Sequence, residues 1–325
     1  MILGFEGGTV MLERAPVREF RSWYCDSRRW DGYAPRPGDV VIATPPKVGT
    51  TWTQQIVNLL IFQSAEPRPV SMLSPWIDNR FKGPAGPVLA TIEAQTHRRF
   101  LKSHLPLDGL PIYDEVRYIH VARGGRDACM SYLNHINGYT ALTWAGLDAA
   151  GMDEPQIGRP LPRPPKTARE FFHHWMARDE DSDLSLMSQS FFDIEQTYWA
   201  GRARSNLLLV HYNDLKADLC GEMGRIADFL DIEVADDLWP ELVDAATFET
   251  MKRHGAALLP GMELGFEGGT ETFLNKGTND RWQAVLTDDD NALYLQRLEE
   301  ELSPGLRAWL ENGRRVAGDP RDSVD

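Results

Sequence analysis

Basic residues are in short supply: 34 lysines and arginines against 48 aspartates and glutamates leave a formal charge of −14 over 325 residues, with a pI near 5.1. An acidic surface repels phosphate backbones, which excludes nucleic acid as a partner; a small anion is still compatible wherever a few cations converge. Cysteine is scarce as well. Cys25, Cys129 and Cys220 stand far apart, with neither CxxC nor metal-ligand spacing. That excludes a disulfide framework and a cysteine metal centre, and it points to reduced, mostly buried thiols in a cytoplasmic protein. No apolar run approaches the roughly 20 residues that cross a bilayer, so stable membrane insertion is not expected. The opening stretch MILGFEGGTVMLERAP has no basic n-region and no long apolar core, and the sequence predicts no signal peptide.

What is present is the composition of an ordinary globular protein, 42% hydrophobic and 25% charged, long enough for a substantial core. The most informative stretch is Asp39–Phe62, DVVIATPPKVGTTWTQQIVNLLIF. Val40–Ala43 is a short apolar run that reads as a buried strand. Beyond it Trp52, Ile56, Leu59 and Leu60 share one face of a helix, which Thr50 or Thr51 is placed to cap. Between the two lies PPKVGTT, which brings backbone N–H groups, two hydroxyls and a lysine to one point at a helix N-terminus and predicts a phosphate site. The common phosphate loop GxxxxGK[ST] places its lysine after the last glycine; here Lys47 precedes Gly49, which argues against an ordinary P-loop ATPase.

Further along, Arg99–Leu105, Val116–Arg123 and Leu207–Val210 read as strands. Helices are expected near Asp127–His135, from Thr167, over Leu215–Leu230, over Glu241–Lys252 and over Leu293–Glu311. Val17–Trp30 is amphipathic, and little regular structure is expected over residues 1–16. LGFEGGT near the start recurs at Leu264–Thr270, too few copies for a repeat architecture. Two Pro- and Gly-rich segments, 66–88 and 138–165, read as lid-like loops, and Leu258–Arg281 is again Gly-rich. The whole reads as α/β: a single domain over 1–325 with a central parallel sheet flanked by helices and a P-loop-like strand–loop–helix phosphate site. Ligands of such sheets bind at the carboxyl ends of the strands, so Lys47, His104, Arg123 and Tyr212 are expected at one rim.

In RFLKSHLP, Lys102 and His104 are two apart on an extended segment and share a face. A histidine beside lysines has a lowered pKa and suits a general base. Among eight histidines, only His104 combines a strand end with a nearby lysine. In VARGGRDACMSY, Arg123 ends a strand and Ser131 follows in the helix; a guanidinium fork and a hydroxyl suit phosphate oxygens.

TPPKVGTTW, RFLKSHLP, VARGGRDACMSY, HYNDLKAD, TFETMK and LNKGTNDRW occur in this order between Asp39 and Trp282. The set resembles the cytosolic-type sulfotransferases that use PAPS (3′-phosphoadenosine 5′-phosphosulfate). LSPWID and HRRFLKSHLPLDGLP are similar in particular to bacterial aryl and glycolipid sulfotransferases. The resemblance implies that Lys47, Val48, Gly49, Thr50 and Thr51 hold the 5′-phosphosulfate. Trp52 and Phe248 would sandwich the adenine, with Tyr212 near its amine; Arg123, Ser131, Asn275, Lys276 and Gly277 would hold the 3′-phosphate. His104 would be the general base, with Lys47, Lys102 and Ser131 beside the transferred group, PAP as the product and no metal required. Two departures stand out. Val48 replaces the serine of the family's KSGTTW, and Asn275 replaces the arginine of its RKG, for which Arg281 is a candidate substitute.

The competing expectations are a nucleotide-dependent phosphotransferase on a similar sheet, which needs magnesium and a Walker lysine that is missing here, and a non-catalytic nucleotide-binding module. The acceptor is expected to be a small-molecule or lipid hydroxyl (phenol, alcohol, sterol or glycolipid) bound among Trp76, Phe81, Tyr139, Trp144, Phe171, Phe172 and Met262. A homodimer is compatible, although the dimer signature of animal members does not follow Trp282.

Overall fold

The computed structural model describes residues 10–81, 83–177 and 191–325. Six strands occur among them: β1 Leu12–Arg14, β2 Val40–Ala43, β3 Phe100–Ser103, β4 Ile112–Tyr113, β5 Arg117–Ala122 and β6 Leu207–His211. Four form the central sheet in the order β3-β2-β5-β6, and every neighbouring pair is parallel. Every residue of β2 and of β6 is buried, as parallel strands covered on both faces must be. The register aligns the strand ends in two pairs, Ala43 opposite Ser103 and Ala122 opposite His211, with β5 and β6 running about two residues beyond β2 and β3, since Ile42 pairs with Ile119. The next residues, Thr44, His104, Arg123 and Tyr212, therefore emerge along one rim. At the other end of β2 and β3, the buried Asp39 accepts from Arg99 Nε at 2.8 Å and from the Tyr33 hydroxyl, which staples the start of the sheet.

The helix Thr50–Phe62 packs on this sheet. Ile56, Val57, Leu59 and Leu60 have no exposed surface, and such burial contributes about 1.5–3 kcal/mol for each large aliphatic side chain. Gln54 and Asn58 are buried on its other side, where Gln54 donates to Ser74 O, so the helix is enclosed rather than merely amphipathic. His120, mid-strand in β5, is a core residue: it donates through Nδ1 to Ala43 O and meets Glu195 through Nε2 at 3.0 Å.

Several expected boundaries shift. Leu215–Leu230 is two helices, Tyr212–Ala217 and Leu219–Phe229; Glu241–Lys252 becomes Trp239–Ala245 and Phe248–Arg253; Leu293–Glu311 becomes Asp288–Glu301 and Pro304–Asn312. Each break falls at a residue whose side chain accepts from the second helix: Asp218 from Gly221 N, Thr247 from Thr250 N and Ser303 from Leu306 N. These caps satisfy N–H groups that a continuous helix would bond internally. Thr167 caps Ala168–Trp175 in a capping box with Glu170, and the remainder of that expected helix, Arg178–Glu180, lies outside the described residues. The segments read as loops are partly helical, with Val70–Leu73, Ala85–Glu93, Ala141–Met152, Met262–Gly265 and Gly269–Leu274. Arg159–Pro165 is not helical. Leu12–Arg14 pairs with β4, so that part of the first 16 residues is ordered into a strand. The first LGFEGGT copy lies outside the described residues.

Candidate active site

The loop between β2 and its helix turns through two left-handed residues, Lys47 (φ 69°) and Gly49 (φ 123°). A side chain at Gly49 would also sit 3.2 Å from the Tyr212 ring, so the tight turn and the close approach both call for glycine. Neither Thr50 nor Thr51 caps the helix as expected. Gly49 occupies the cap position with no side-chain bond, which leaves the first N–H groups of the helix turned toward the loop for an anion. Thr50 is in the first turn, and its hydroxyl meets that of Thr44 at 2.6 Å. Since Thr44 Oγ1 already donates to Pro45 O, Thr50 is the donor of this pair, and Thr51 is the hydroxyl left facing the cavity.

Five cations reach the same cavity of about 850 Å³: Lys47, Lys102, Arg123, Lys276 and Arg281. Burial, then the charges of Lys102, Arg123 and Arg281, push the Lys47 ammonium down to about 7. Among the described residues no carboxylate forms a salt bridge with Lys47, Arg123 or Arg281. Arg123 is held by Asn279 Oδ1 (3.1 and 2.7 Å) and Thr278 O (2.9 Å), with its guanidinium 4.2 Å from the Tyr212 ring centroid. Arg281 Nε is buried and has no hydrogen-bond partner among the described residues. Ser131, Asn275, Lys276 and Gly277 line this end of the cavity, and Asn275 and Gly277 take positive φ as the chain bends over it.

A lysine depressed to about 7 has a consequence for pH. Above that value the folded protein binds fewer protons at Lys47 than the unfolded chain does, so this group makes ligand-free stability rise with pH from about 7 to the ordinary lysine range. An anion in the cavity restores the charge. Adenosine 3′,5′-bisphosphate (PAP) binding at pH 8 is therefore expected to take up protons, seen by calorimetry in buffers of different ionisation enthalpy, and Lys47→Met should remove that uptake.

His104 is buried, and its Nδ1 donates to Thr44 O at 2.7 Å. That bond leaves the Nε2 lone pair free. Burial first, then Lys102 and Lys47, push its pKa well below the ordinary histidine value, against the bond to Thr44. The Trp76 ring stands edge-on to His104 at 4.8 Å, and Lys102 Nζ lies 4.3 Å from the centroid of the same indole. Both are anchored by Asp78, which has no exposed surface and accepts from His104 N (3.1 Å), Trp76 Nε1 (2.7 Å), Trp30 Nε1 and Cys25 Sγ. Asp78 escapes a reading of the sequence; its only signal there is its place in LSPWID.

Trp52 is oriented by an Nε1 bond to Ala246 O at 2.7 Å and stands edge-on to Tyr212 at 5.4 Å. Phe248 lines the same end, packed on Gly277, where a side chain would come within 2.8 Å of its ring. Val48 is different: it is fully buried and does not line the cavity, so only its backbone is available to a ligand.

The rest of the cavity is largely apolar. Trp76, Phe81, Tyr139 and Met262 line it as expected, but Trp144 does not, and Phe171 and Phe172 are fully buried core residues. Its roof is two segments joined by main-chain and hydroxyl bonds, Thr140 N to Gly265 O (3.1 Å), Glu267 N to Gly138 O (2.8 Å) and Thr143 Oγ1 to Gly265 O (2.9 Å). A second histidine, His135, also faces the cavity. The sequence signal that could have found it is its spacing of four from Ser131, one helical turn along the same face.

A parallel α/β sheet with an uncapped helix N-terminus, clustered cations and an aromatic slot at its carboxyl rim defines a nucleotide-anion-binding transferase. The family model described as "Sulfotransferase domain" matches residues 37–303, and the chain belongs to the sulfotransferase family; its enzyme class is that of the PAPS-dependent sulfotransferases. It is 34% identical over 313 residues to a glycolipid sulfotransferase of Mycobacterium bovis, covering 91% of this chain and 94% of that protein. It is also 26% identical to cytosolic sulfotransferase 1 of Danio rerio, covering 82% and 83%. The fold resembles mouse sulfotransferase SULT7A1 complexed with PAP (TM-score 0.66, 18% identity, 88% and 93% covered). It also resembles retinol dehydratase in complex with androsterone and PAP (TM-score 0.61, 20% identity, 85% and 84% covered). Among the described residues no helix is long and apolar enough to cross a membrane.

Proposed function

We propose that the enzyme moves a sulfuryl group from PAPS to a hydroxyl of a lipidic, sugar-bearing acceptor. One observation carries the donor half: in a chain of net charge −14, Lys47, Arg123 and Arg281 meet at one cavity without a carboxylate salt bridge among the described residues. Asp127 and Asp280 offset part of the charge on Arg123 without bridging it, and a cluster of this kind favours a ligand with several negative charges. The donor's chemistry, when bound, is an activated sulfuryl group on a phosphate leaving group.

Lys47, Gly49, Thr50 and Thr51 hold the 5′ end at the helix N-terminus. Trp52 and Phe248 flank the adenine beside Tyr212. Arg123, Ser131 and the Asn275–Gly277 turn hold the 3′-phosphate. His104 receives the acceptor proton at Nε2, the nitrogen left free by its bond to Thr44. Its lowered pKa keeps it neutral at the start, and negative charge brought next to Lys47 and Lys102 raises its basicity when the acceptor attacks. Lys47 and Lys102 stabilise charge on the leaving oxygen and the transferred group. The glycolipid acceptor is supported by the Mycobacterium bovis relative and by the apolar lining beyond His104.

The test is transfer from radiolabelled PAPS to a panel of a phenol, a sterol, a long-chain alcohol and a glycolipid, with ATP and magnesium as a parallel donor. No labelled product and no PAP-induced rise in Tm would sink the reading; phosphoryl transfer from ATP would favour the phosphotransferase. The 3′-phosphate assignment has its own measurement. Arg123→Ala is expected to weaken PAP by about 10–100-fold, the size of a lost charge-assisted bond, while AMP, which lacks that phosphate, changes little.

A further inference from the structure

We propose that His135 reads the acceptor, hydrogen-bonding a second hydroxyl beside the one that is sulfated, and so selects polyhydroxylated, sugar-type acceptors over lone alcohols and phenols. The inference rests on the sulfuryl-transfer reading above and deepens its acceptor half. His135 lies in the helix Gly125–Asn137, one turn after Ser131, and both line the cavity. Its ring is surrounded by aromatic walls: Phe266 at 4.7 Å, Tyr139 at 5.1 Å and Phe273 at 5.6 Å between centroids. A phenylalanine would fill this place. The imidazole instead brings two nitrogens, of which Nδ1 is buried without a hydrogen-bond partner, and no described residue bonds the other.

Buried polar groups are nearly always paired, so an imidazole left unpaired in an aromatic cage at a cavity wall is a group kept for a ligand. The place is next to the chemistry. The Phe273 ring that contacts His135 also carries Lys47 Nζ 4.8 Å from its centroid. Burial, with Lys47, Lys102 and His104 nearby, holds His135 neutral. The two nitrogens of a neutral imidazole point to opposite sides of the ring, so one hydroxyl meets it at a single nitrogen, as donor or as acceptor; Nε2, the nitrogen that is not enclosed, is the one a hydroxyl can reach. The outer cavity then takes the apolar tail: Met72, Leu142 and Leu264 line it and are more than half exposed, at 63%, 66% and 63%.

The experiment compares kcat/KM for octyl β-D-glucoside and for 2-naphthol with PAPS, in wild type, His135→Phe and His135→Gln. His135→Phe is expected to lower the glucoside-to-naphthol ratio by about tenfold or more, the worth of one unmade hydrogen bond. His135→Gln, which keeps a donor and an acceptor, should recover part of it. A parallel loss on both acceptors, an unchanged ratio, or a wild type that sulfates naphthol and not the glucoside overturns the inference and leaves the sulfotransferase reading standing. A wild type that uses PAPS on neither acceptor overturns the reading beneath it. A preserved Tm and PAP-induced shift in His135→Phe separates loss of recognition from loss of folding.

Discussion

Lys47→Met is expected to cut sulfuryl transfer by about 10²–10³-fold, the cost of removing one preorganised group that stabilises developing charge. Methionine has nearly the length of lysine and suits the surroundings, since Lys47 is half-buried against the Phe273 ring. The folded protein should lose no stability and should gain some. Burial and three neighbouring cations already oppose the ammonium and bring it down to about 7, so removing it relieves repulsion in the ligand-free state. Activity down with Tm unchanged or raised is the signature of a group held for a ligand. A variant that loses Tm in proportion to activity would make Lys47 a packing residue and remove it from the mechanism.

His104→Ala should lower kcat by about 10²–10⁴-fold, the usual worth of a positioned general base, while PAP still raises Tm. In the proposed mechanism the base acts through geometry more than through resting basicity. Its Nδ1 proton is committed to Thr44 O and its backbone N–H to Asp78, so the ring is held with Nε2 free although its resting pKa is well below the ordinary value. The pH profile checks this. In wild type, with donor bound, activity should fall on the acid side as Nε2 takes a proton, and His104→Ala should lose that limb. Full activity in the alanine variant would overturn the base assignment without touching the family.

Much of this site is legible in the sequence because its parts are local. Val40–Ala43 is uniformly apolar, the turn after it carries prolines and a glycine, and the next helix keeps its apolar period, so strand, loop and helix follow from short-range rules. The rim follows from one more rule, that parallel strands deliver the residues after their carboxyl ends to one edge; Thr44 and His104 leave β2 and β3 level with each other, and Arg123 and Tyr212 leave β5 and β6 level with each other, about two residues further along, since Ile42 pairs with Ile119. The lids were harder. Ala141–Met152 is ALTWAGLDAAGM, apolar on all sides with three buried residues, and without a polar face it shows no helical period.

Other features depend on segments distant in sequence. Asp78 gathers donors from Cys25, Trp30, Trp76 and His104, and Arg281 reaches a cavity that Tyr24 and Lys47 also line. His135 stands among seven other histidines, marked only by its spacing of four from Ser131, and Val48, read as a ligand position, turns its side chain into the core.

By itself the sequence determined the α/β class, the strand–turn–helix with its lysine ahead of the glycine, and the rim residues, because backbone period and strand polarity act within a few residues. The tertiary structure alone decided which nitrogen of His104 is free, that Lys47, Arg123 and Arg281 meet at one cavity without a carboxylate salt bridge among the described residues, and that His135 lines that cavity. Charge, burial and hydrogen-bond partnership depend on which distant chains arrive at a point, and no local pattern records that.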